Sequence, residues 1–211
     1  ASDDTRLYAS ITSGYRPGGY NVVPLSNADA NGYDAETSLN GELGWRTSFA
    51  NQKVDFSGAL YWIQTDDIQL YTGTPGNQTL KNMGEALSKG IEAEFAFYPT
   101  DDLTITAAGT FGRSTFASNN NTFEGKRLPY APDTTATLGV NYYLPITGIK
   151  GDISIHSQAR YNSKIYFNEA NSLSQSAYTL VDLSIDYDYN EALSISLFSN
   201  NITDKDYTTY A

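Results

Sequence analysis

The sequence contains no cysteine, one histidine and one methionine, and its 13 basic side chains are outnumbered by 24 acidic ones. Without cysteine the chain forms neither a disulfide nor a cysteine–metal site. A single histidine argues against histidine-cluster metal sites and histidine-based catalytic triads. The net charge of −11 argues against nucleic acid as a partner, because phosphate binding needs a basic face.

A long apolar run is also missing. No stretch approaches the roughly 20 consecutive apolar residues of a transmembrane helix. A transmembrane β-barrel is still compatible with this composition, because only every second residue of its strands faces lipid. The missing run therefore excludes one kind of membrane protein and leaves the other open.

What the sequence does contain is short segments in which apolar and polar residues alternate. A period of two is typical of a β-strand with two different faces. In the clearest case, Gly90 to Tyr98, isoleucine, alanine and phenylalanine alternate with glycine, glutamate and alanine. The pattern predicts nine strands, over residues 5–13, 38–46, 54–62, 90–98, 103–111, 136–142, 153–161, 181–187 and 193–198, and Ile68 and Leu70 are candidates to extend the third.

The links between the predicted strands alternate in length. Those after the first, third, fifth and seventh strands are long, roughly 15–25 residues, and the others are short, roughly 4–8 residues, whereas loops beyond about 12–15 residues are uncommon in compact domains. An up-and-down antiparallel sheet with long loops at one end only is typical of an outer-membrane barrel.

Aromatic residues crowd the strand ends, as expected for rings that lie at the two membrane–water interfaces. The members of this set are Tyr8, Trp45, Trp62, Tyr98, Tyr142, Tyr143, Tyr161 and Tyr187. The pattern favours an all-β fold, an antiparallel up-and-down transmembrane β-barrel. A soluble β-sandwich would also show one polar face on each strand and stays an alternative at this point.

Four segments carry a resemblance to a known family. SITSGYRPGGYN (residues 10–21) is similar to a strand-to-loop segment with an aromatic, a basic residue and paired glycines, and ETSLNGELGWR (residues 36–46) to an E-x-S-x-N-x-E-x-G strand. DDIQLY with NMGEALSKGIEAEF resembles an N-x-G-x-A-x-x-x-G-x-E-x-E segment, and NNITDKDY resembles N-L-x-D-x-x-Y. In this order they resemble the C-terminal portion of a TonB-dependent outer-membrane receptor of the siderophore-receptor type.

The resemblance implies a barrel of about 22 strands that encloses an N-terminal plug domain. The nine strands would be the thirteenth to twenty-first. Residues 1–211 would be the C-terminal part of the barrel domain, without the plug, the first half of the barrel, the final strand and the N-terminal TonB box. The expected location is the outer membrane of a Gram-negative bacterium.

The function that the resemblance implies is uptake of a scarce ligand with energy from the TonB complex. A ferric siderophore is the first choice of ligand, and cobalamin, haem or a glycan are alternatives. Iron would enter only as part of the transported chelate, so no cofactor and no enzymatic activity are expected. Further expected partners are the protein's own plug domain, outer-membrane lipid and lipopolysaccharide.

The non-apolar faces of the strands predict a polar lumen wall. Its candidate residues are Glu42, Arg46, Glu92, Glu94, Arg160 and Asp182. Any water-filled lumen needs polar residues, and the resemblance adds contact with the plug as a second interpretation. Inward carboxylates that face plug arginines would form charge-assisted pairs. The single histidine, His156, is expected to point into the lumen between Asp152 and Arg160, as a hydrogen-bonded side chain rather than a metal ligand.

Ligand contacts are expected from the long loops and the upper lumen, where aromatic and arginine side chains suit recognition of an anionic chelate. The candidates are Tyr15, Arg16, Tyr71, Arg127, Tyr166 and Phe167. The alternative is that Tyr15 and Tyr71 belong to the aromatic girdle and that Arg16 and Arg127 face lipopolysaccharide phosphate. The glycine pair Gly18-Gly19 lacks the strand–loop–helix context of a phosphate-binding loop.

No active site is predicted. The two aspartate pairs, Asp66-Asp67 and Asp101-Asp102, lie at predicted turns, where aspartate is common, and no base, nucleophile or metal set accompanies them.

Two other functional classes stay open from the sequence. One is a smaller closed outer-membrane barrel that acts as an adhesin or structural protein, which predicts an even number of strands. The other is a soluble β-sandwich that binds glycans, which predicts that the apolar rows face each other across a core.

Overall fold

The computed structural model of the protein describes residues 5–74, 76–117 and 122–210. A single turn of 3₁₀-helix, Asp29–Asn31, lies between the first two strands. No helix in the described ranges is long and apolar enough to cross a membrane. The strands are β1 (Thr5–Arg16), β2 (Glu36–Phe49), β3 (Val54–Asp66), β4 (Gln69–Thr74), β5 (Asn77–Asn82), β6 (Ala86–Thr100), β7 (Leu103–Phe116), β8 (Thr134–Leu144), β9 (Asp152–Asn162), β10 (Ile165–Tyr166), β11 (Ser174–Gln175), β12 (Tyr178–Asn190) and β13 (Leu193–Ser199).

Nine of these strands form one antiparallel sheet whose spatial order follows the chain, β1-β2-β3-β6-β7-β8-β9-β12-β13. They are the nine strands that the alternation predicts, so the up-and-down antiparallel topology is confirmed. Most are longer than predicted, because polar residues continue the pairing after the apolar pattern ends, as Arg16 opposite Glu36 shows. Within the described ranges the sheet does not close, and β1 and β13 each pair with one neighbour.

The predicted extension of the third strand through Ile68 and Leu70 is wrong. Asp67 has a φ of 54°, which ends β3 after Asp66. Ile68 then donates its backbone N–H to the carbonyl of Gly84 at 2.9 Å. Leu70 belongs to the separate hairpin of β4 and β5, which stands inside the long link.

The predicted alternation of long and short links is confirmed. The long links, whose described residues are 17–35, 67–74 with 76–85, 117 with 122–133, and 163–177, share one end of the sheet, and the short links, residues 50–53, 101–102, 145–151 and 191–192, share the other. This arrangement follows from the strand order, because each antiparallel strand reverses the direction of the one before it.

The register aligns the apolar residues of neighbouring strands in continuous rows. Leu43 lies opposite Ala9 and Leu60, Leu60 opposite Ile91, and Ile91 opposite Phe111. Because side chains alternate between the faces of a strand, such rows lie on one face of the sheet, which we call the outward face.

The outward face is exposed to an unusual degree. Leu7 is 77% exposed, Ile11 80% and Leu197 72%. No second sheet covers these rows in the described part of the chain. A soluble monomer rarely exposes a contiguous apolar surface larger than a few hundred Å². The exposed rows are those that lipid would cover in a membrane-spanning barrel.

The aromatic residues divide between the two faces. Trp45 and Trp62 lie in outward rows, opposite Leu7 and Gly41. Tyr8 does not, because it lies one position away from Leu7 and therefore on the polar face. Tyr143 is likewise on the polar face, because it is adjacent to Tyr142, which lies in an outward row. The predicted aromatic girdle therefore includes only some of the eight aromatic residues named for it.

Two glycines make room for one tyrosine side chain on the polar face. Gly90 and Gly112 are direct partners on β6 and β7, and Tyr61 lies opposite Gly90 on β3. A Cβ added at Gly90 would lie 2.7 Å from the Tyr61 hydroxyl and 2.5 Å from the Cα of Gly112. The end of the Tyr61 side chain thus occupies the space that two missing side chains leave, as aromatic residues can do beside glycine in strands.

This packing predicts that Gly90→Ala destabilises the full-length protein and Gly41→Ala does not. The Gly90 methyl group meets backbone of β7, so strands must shift, at a cost of about 1–3 kcal/mol for overpacking. A Cβ at Gly41 has no heavy atom within 4 Å, which makes it the matched control. The measurement is urea unfolding of the refolded protein in detergent. Equal unfolding free energies for the two variants would contradict the packing argument.

Candidate functional site

The polar face of the sheet gathers the charged residues that the sequence singles out. One cross-strand row joins Arg46 to Glu94 through Ser57, and the same row continues through Ala108 and Thr137. It reaches Arg160 of β9, which lies opposite Thr137, and continues to Leu180 of β12. All six predicted residues share this face: Glu42, Arg46, Glu92, Glu94, Arg160 and Asp182.

Four of the six form short contacts with neighbouring strands. The Tyr8 hydroxyl donates to Glu42 Oε1 at 2.5 Å, and the Ser57 hydroxyl donates to Glu94 Oε2 at 3.3 Å. Arg160 Nη2 lies 2.6 Å from Asp182 Oδ2. The side chains of Arg46 and Glu92, by contrast, have no hydrogen-bond or ion-pair partner among the described residues.

His156 makes two hydrogen bonds on the same face, to different partners from those expected. Its Nδ1 lies 2.7 Å from Asn141 Oδ1 and its Nε2 lies 3.1 Å from the Ser154 hydroxyl. The nearest carboxylate is Asp186, at 3.6 Å, rather than Asp152. Strand parity explains the difference, because β9 places His156 directly opposite Ser184 of β12, next to Asp186.

At the long-link end, two segments of the first loop pair with each other at the paired glycines. Gly19 and Tyr33 exchange two backbone hydrogen bonds, at 2.9 and 2.8 Å. A Cβ at Gly18 would lie 2.5 Å from the Tyr33 carbonyl oxygen, so only glycine allows this close approach. The glycine pair of the sequence therefore has a backbone role.

Side-chain amides tie this loop to the hairpin of β4 and β5. Asn21 donates to the Leu80 carbonyl at 3.0 Å and accepts from the Leu80 N–H at 2.8 Å. Asn82 bridges three backbone groups: it accepts from Asp34 N–H at 2.7 Å and donates to the carbonyls of Asp34 and Asp67. Together residues 17–35 and 67–85 form what we call the first loop unit.

Gln69 closes the base of the first loop unit. Its side chain is buried and donates to the carbonyls of Pro17 and Asp34, at 3.1 and 2.8 Å. Its backbone N–H donates to Glu36 Oε2 at 2.6 Å. These bonds join the hairpin to the ends of β1 and β2.

One ion pair also holds this unit. Asp29 is buried, and its Oδ1 lies 2.9 Å from Lys81 Nζ. The hydrogen bond from Lys81 is the main reason why the pKa of Asp29 lies below its usual value, and a bond from Ser26 adds to it. Because the pKa is lowered in the folded state, the stabilisation is present above the unfolded value of about 3.9 and is lost as the pH falls through the lowered pKa.

Residues 122–133 and 163–177 form a second loop unit. Asn171 accepts from the Arg127 N–H at 2.7 Å and donates to the Arg127 carbonyl at 2.9 Å. Tyr130 donates its N–H to the Tyr166 carbonyl at 2.8 Å. Its ring lies 5.6 Å from that of Phe167, which is buried.

The last described residues connect the two units. The Tyr210 ring stacks on Tyr130, with centroids 6.3 Å apart, and its hydroxyl lies 3.1 Å from Gln78 Oε1 of the first unit. Burial raises the pKa of Tyr130, with a smaller contribution from Tyr210. Tyr207 stacks on Tyr178 at 4.7 Å.

The candidate ligand residues of the first unit lie apart from one another. Tyr15 is 72% exposed and shares the outward parity of Ile11, which fits the girdle alternative rather than ligand contact. Arg16 lies opposite Glu36 and donates to the Gln69 carbonyl at 3.4 Å, so it holds the base of the loop unit. Tyr71 is exposed on β4 of the hairpin.

Most of the predicted ligand residues in the second loop unit interact with other residues of that unit. Arg127 Nη2 lies 2.6 Å from Asp133 Oδ2. Phe167 is 6% exposed, so it packs inside the unit instead of presenting its ring to a ligand. Tyr166 is half-buried, with Lys164 Nζ at 4.7 Å from its ring centroid.

The sequence interpretation missed the residues that hold the loops together. Gln69, Asn82 and Asn171 lie in segments that are read as turn formers, and their partners are distant along the chain. Amide side chains within otherwise long polar links are the one signal that points to them. The predicted turn position of the aspartate pairs agrees with the structure, since Asp67 has positive φ and Asp101-Asp102 link β6 to β7.

Among the described residues, no group of three or more histidine, cysteine, aspartate or glutamate side chains is arranged to hold a metal ion. The polar face and the loop units thus contain hydrogen bonds, ion pairs and a few unpaired charged side chains. They offer contact surfaces for a ligand or another domain.

Comparisons with known proteins agree with this geometry. The chain is 34% identical over 209 residues to the pesticin receptor of Yersinia enterocolitica, covering 99% of this chain and 30% of that protein. It is 30% identical over 191 residues to the ferrioxamine B receptor of Salmonella typhimurium, covering 88% of this chain and 27% of that protein. The chain therefore spans less than a third of the length of these curated relatives.

A solved structure shows the same fold. The ferric yersiniabactin uptake receptor of Yersinia pestis superposes with a TM-score of 0.87 at 32% identity, covering 99% of this chain and 31% of the other. The sequence profile described as "TonB dependent receptor-like, beta-barrel" matches residues 1–202. The resemblance seen in the sequence motifs is confirmed: the chain belongs to the TonB-dependent receptor family and forms part of its β-barrel.

Proposed function

We propose that the protein to which this chain belongs takes up a ferric siderophore across the outer membrane, with energy from the TonB complex. The observation that carries the proposal is the sheet itself, which sorts exposed apolar rows from a charged polar face over nine strands of a TonB-dependent receptor barrel. Family membership also confirms the predicted location in the outer membrane of a Gram-negative bacterium.

The choice of ligand class follows the relatives. Their names describe receptors for pesticin, ferrioxamine B and ferric yersiniabactin, and a relative from Acinetobacter baumannii is named a probable TonB-dependent siderophore receptor. In our proposal iron enters only as part of the cargo, and the protein transports its ligand without chemical change.

Residues 1–211 form, in this proposal, the C-terminal part of a larger barrel domain that encloses a plug. Arg46 and Glu92 support it, because both lie on the polar face without partners in the described part of the chain. A charged side chain of the plug would supply the missing partner, and charge-assisted bonds of this kind are strong. Water in an open lumen would satisfy the same groups more weakly.

The two alternative functions lose support. A glycan-binding sandwich needs a second sheet against the apolar rows, and the described residues provide none. A small closed barrel needs its first and last strands to pair, whereas β1 and β13 lie at opposite edges of the sheet.

The two loop units would form a preorganised entrance above the lumen. Their loops are fixed by reciprocal side-chain to backbone bonds, so a ligand would not have to order them on binding. Tyr71 and Tyr166 are the predicted ligand residues that the units leave most available, and Tyr130, 48% exposed, joins them. We propose these three as the first positions to substitute.

Deletion of the gene is expected to abolish growth on at least one ferric siderophore under iron limitation. The test uses a deletion strain, a panel that includes ferrioxamine B, yersiniabactin and pyoverdine, and complementation with the full-length gene. Complementation restores growth if the defect belongs to this receptor. The proposal fails if growth on every siderophore of the panel is independent of the gene.

Asn82→Ala is expected to loosen the first loop unit without unfolding the barrel. It removes three hydrogen bonds to backbone groups, each contributing a net of about 0.5–1.5 kcal/mol, because water can reach these exposed groups. Hydrogen exchange of residues 17–35 in the full-length protein measures the effect. Asn77→Ala is the matched control, because the exposed Asn77 side chain has no hydrogen bond among the described residues. Equal exchange in both variants would show that Asn82 does not fix the loop.

A further inference from the structure

The outward face of the nine long strands carries very few charges. By register, only Asp66, Lys89 and Arg113 occupy outward positions with a charged side chain in the described strands. Asp66 is the last residue of β3, at the rim. The other two lie inside their strands, Lys89 on β6 and Arg113 on β7. A cation on a lipid-facing position costs about 2–4 kcal/mol at the bilayer midplane and about 0–1 kcal/mol near the interface.

Lys89 and Arg113 are direct cross-strand partners. Such partners have Cβ atoms about 4.5–5.5 Å apart, and like charges in this position repel. Both side chains are exposed, and neither has an ion-pair or hydrogen-bond partner among the described residues. In a chain of net charge −11, these two adjacent cations have no carboxylate between them, so an external anion that bound to both would relieve their repulsion.

The position of Lys89 and Arg113 along the strands shows where they lie relative to the apolar band of the barrel. Below it on β6, the outward positions from Ile91 to Phe97 are apolar. From Lys89 to Phe97 the strand rises about 26 Å, or about 20 Å along the membrane normal for a strand tilted by 35–45°. Since the apolar band of such barrels is about 25 Å tall, the two cations lie at its boundary on the long-link side.

The neighbours of the pair are those of a membrane interface. Trp62 lies opposite Lys89 on β3 and is 40% exposed, and Phe111, 69% exposed, lies two residues from Arg113. Tryptophan at the edge of an apolar band is typical of the headgroup level. The adjacent outward row on the long-link side contains Gln64 and Thr115 on either side of Leu87. Polar groups therefore interrupt the apolar surface beyond the two cations.

We propose that Lys89 and Arg113 together bind a phosphate group of a lipid in the outer leaflet, the leaflet that carries lipopolysaccharide. Arginine offers a planar fork and lysine a point charge, a combination that suits phosphate oxygens. The two arginines that the sequence offers for this role are engaged elsewhere, Arg16 with the Gln69 carbonyl and Arg127 with Asp133. The inference rests on the outer-membrane location and is independent of the ligand that the receptor transports.

The test uses the delipidated full-length receptor, titrated with phosphorylated lipid A and with dephosphorylated lipid A, with bound lipid counted by native mass spectrometry. The double variant Lys89→Gln with Arg113→Gln is expected to bind phosphorylated lipid A at least about tenfold more weakly. Its affinity for dephosphorylated lipid A should not change. The control, Lys53→Gln with Lys150→Gln, removes the same charge at the short-link end and should bind like the natural protein.

A second variant keeps the test valid if the double variant folds poorly. Lys89→Glu creates an ion pair with Arg113 in place of repulsion, so it should raise the Tm in phosphate-free detergent by about 1–2 °C while it abolishes the preference for phosphorylated lipid A. A lowered Tm together with unchanged lipid binding would overturn the proposal.

Two further results would overturn it. One is equal binding of phosphorylated lipid A by the double variant and the control. The other is displacement of the lipid by millimolar inorganic phosphate, which would assign the pair to a free anion. Neither result depends on siderophore uptake, so failure of this proposal is distinguishable from failure of the transport function.

Discussion

Cross-strand register is the constraint on which the rest of this structure depends. Main-chain hydrogen bonds fix each strand against the next, and the side-chain period of two then decides which face every residue occupies. A slip of one residue between β3 and β6 would exchange Ile91 with Glu92 and place carboxylates in the apolar rows. The rows Leu43–Leu60–Ile91–Phe111 and Arg46–Ser57–Glu94 show that one register satisfies both faces at once.

Packing on each face supports that register in a different way. On the polar face, Tyr61 over Gly90 and Gly112 fills the space of missing side chains, and the Arg160–Asp182 pair joins β9 to β12. The outward face has little packing of its own and depends on lipid to cover it. The buried positions are therefore few and lie partly in the loop units, as with Leu80 and Phe167. Rigidity at the long-link end comes from amide side chains, and this is what gives the entrance a defined shape.

Some elements of this fold are predictable from the sequence and others are not. The strand with Ile91 to Phe97 is visible because alternation is a local, repeated signal, and the long links are visible because glycine and asparagine cluster there. The hairpin of β4 and β5 is not visible, since the contacts that tie it to the first loop involve Asn21, Asp34 and Asp29, some fifty residues away. Burial of Phe167 and the parity of Tyr8 depend on register and loop packing, which no single stretch encodes. The charged lumen wall was predictable by parity alone, whereas the partners of its members were not.

The most direct test of this account is the accessibility of single cysteines introduced along β6, since this chain has none of its own. Cysteine would replace Glu92, Ala93, Glu94 and Phe95 one at a time in the full-length receptor in outer membranes, followed by spin labelling. Labels at Ala93 and Phe95 are expected to collide with membrane-dissolved oxygen, whereas labels at Glu92 and Glu94, which face the lumen and its plug, are expected not to. Accessibility without a period of two, or with the opposite phase, would contradict it.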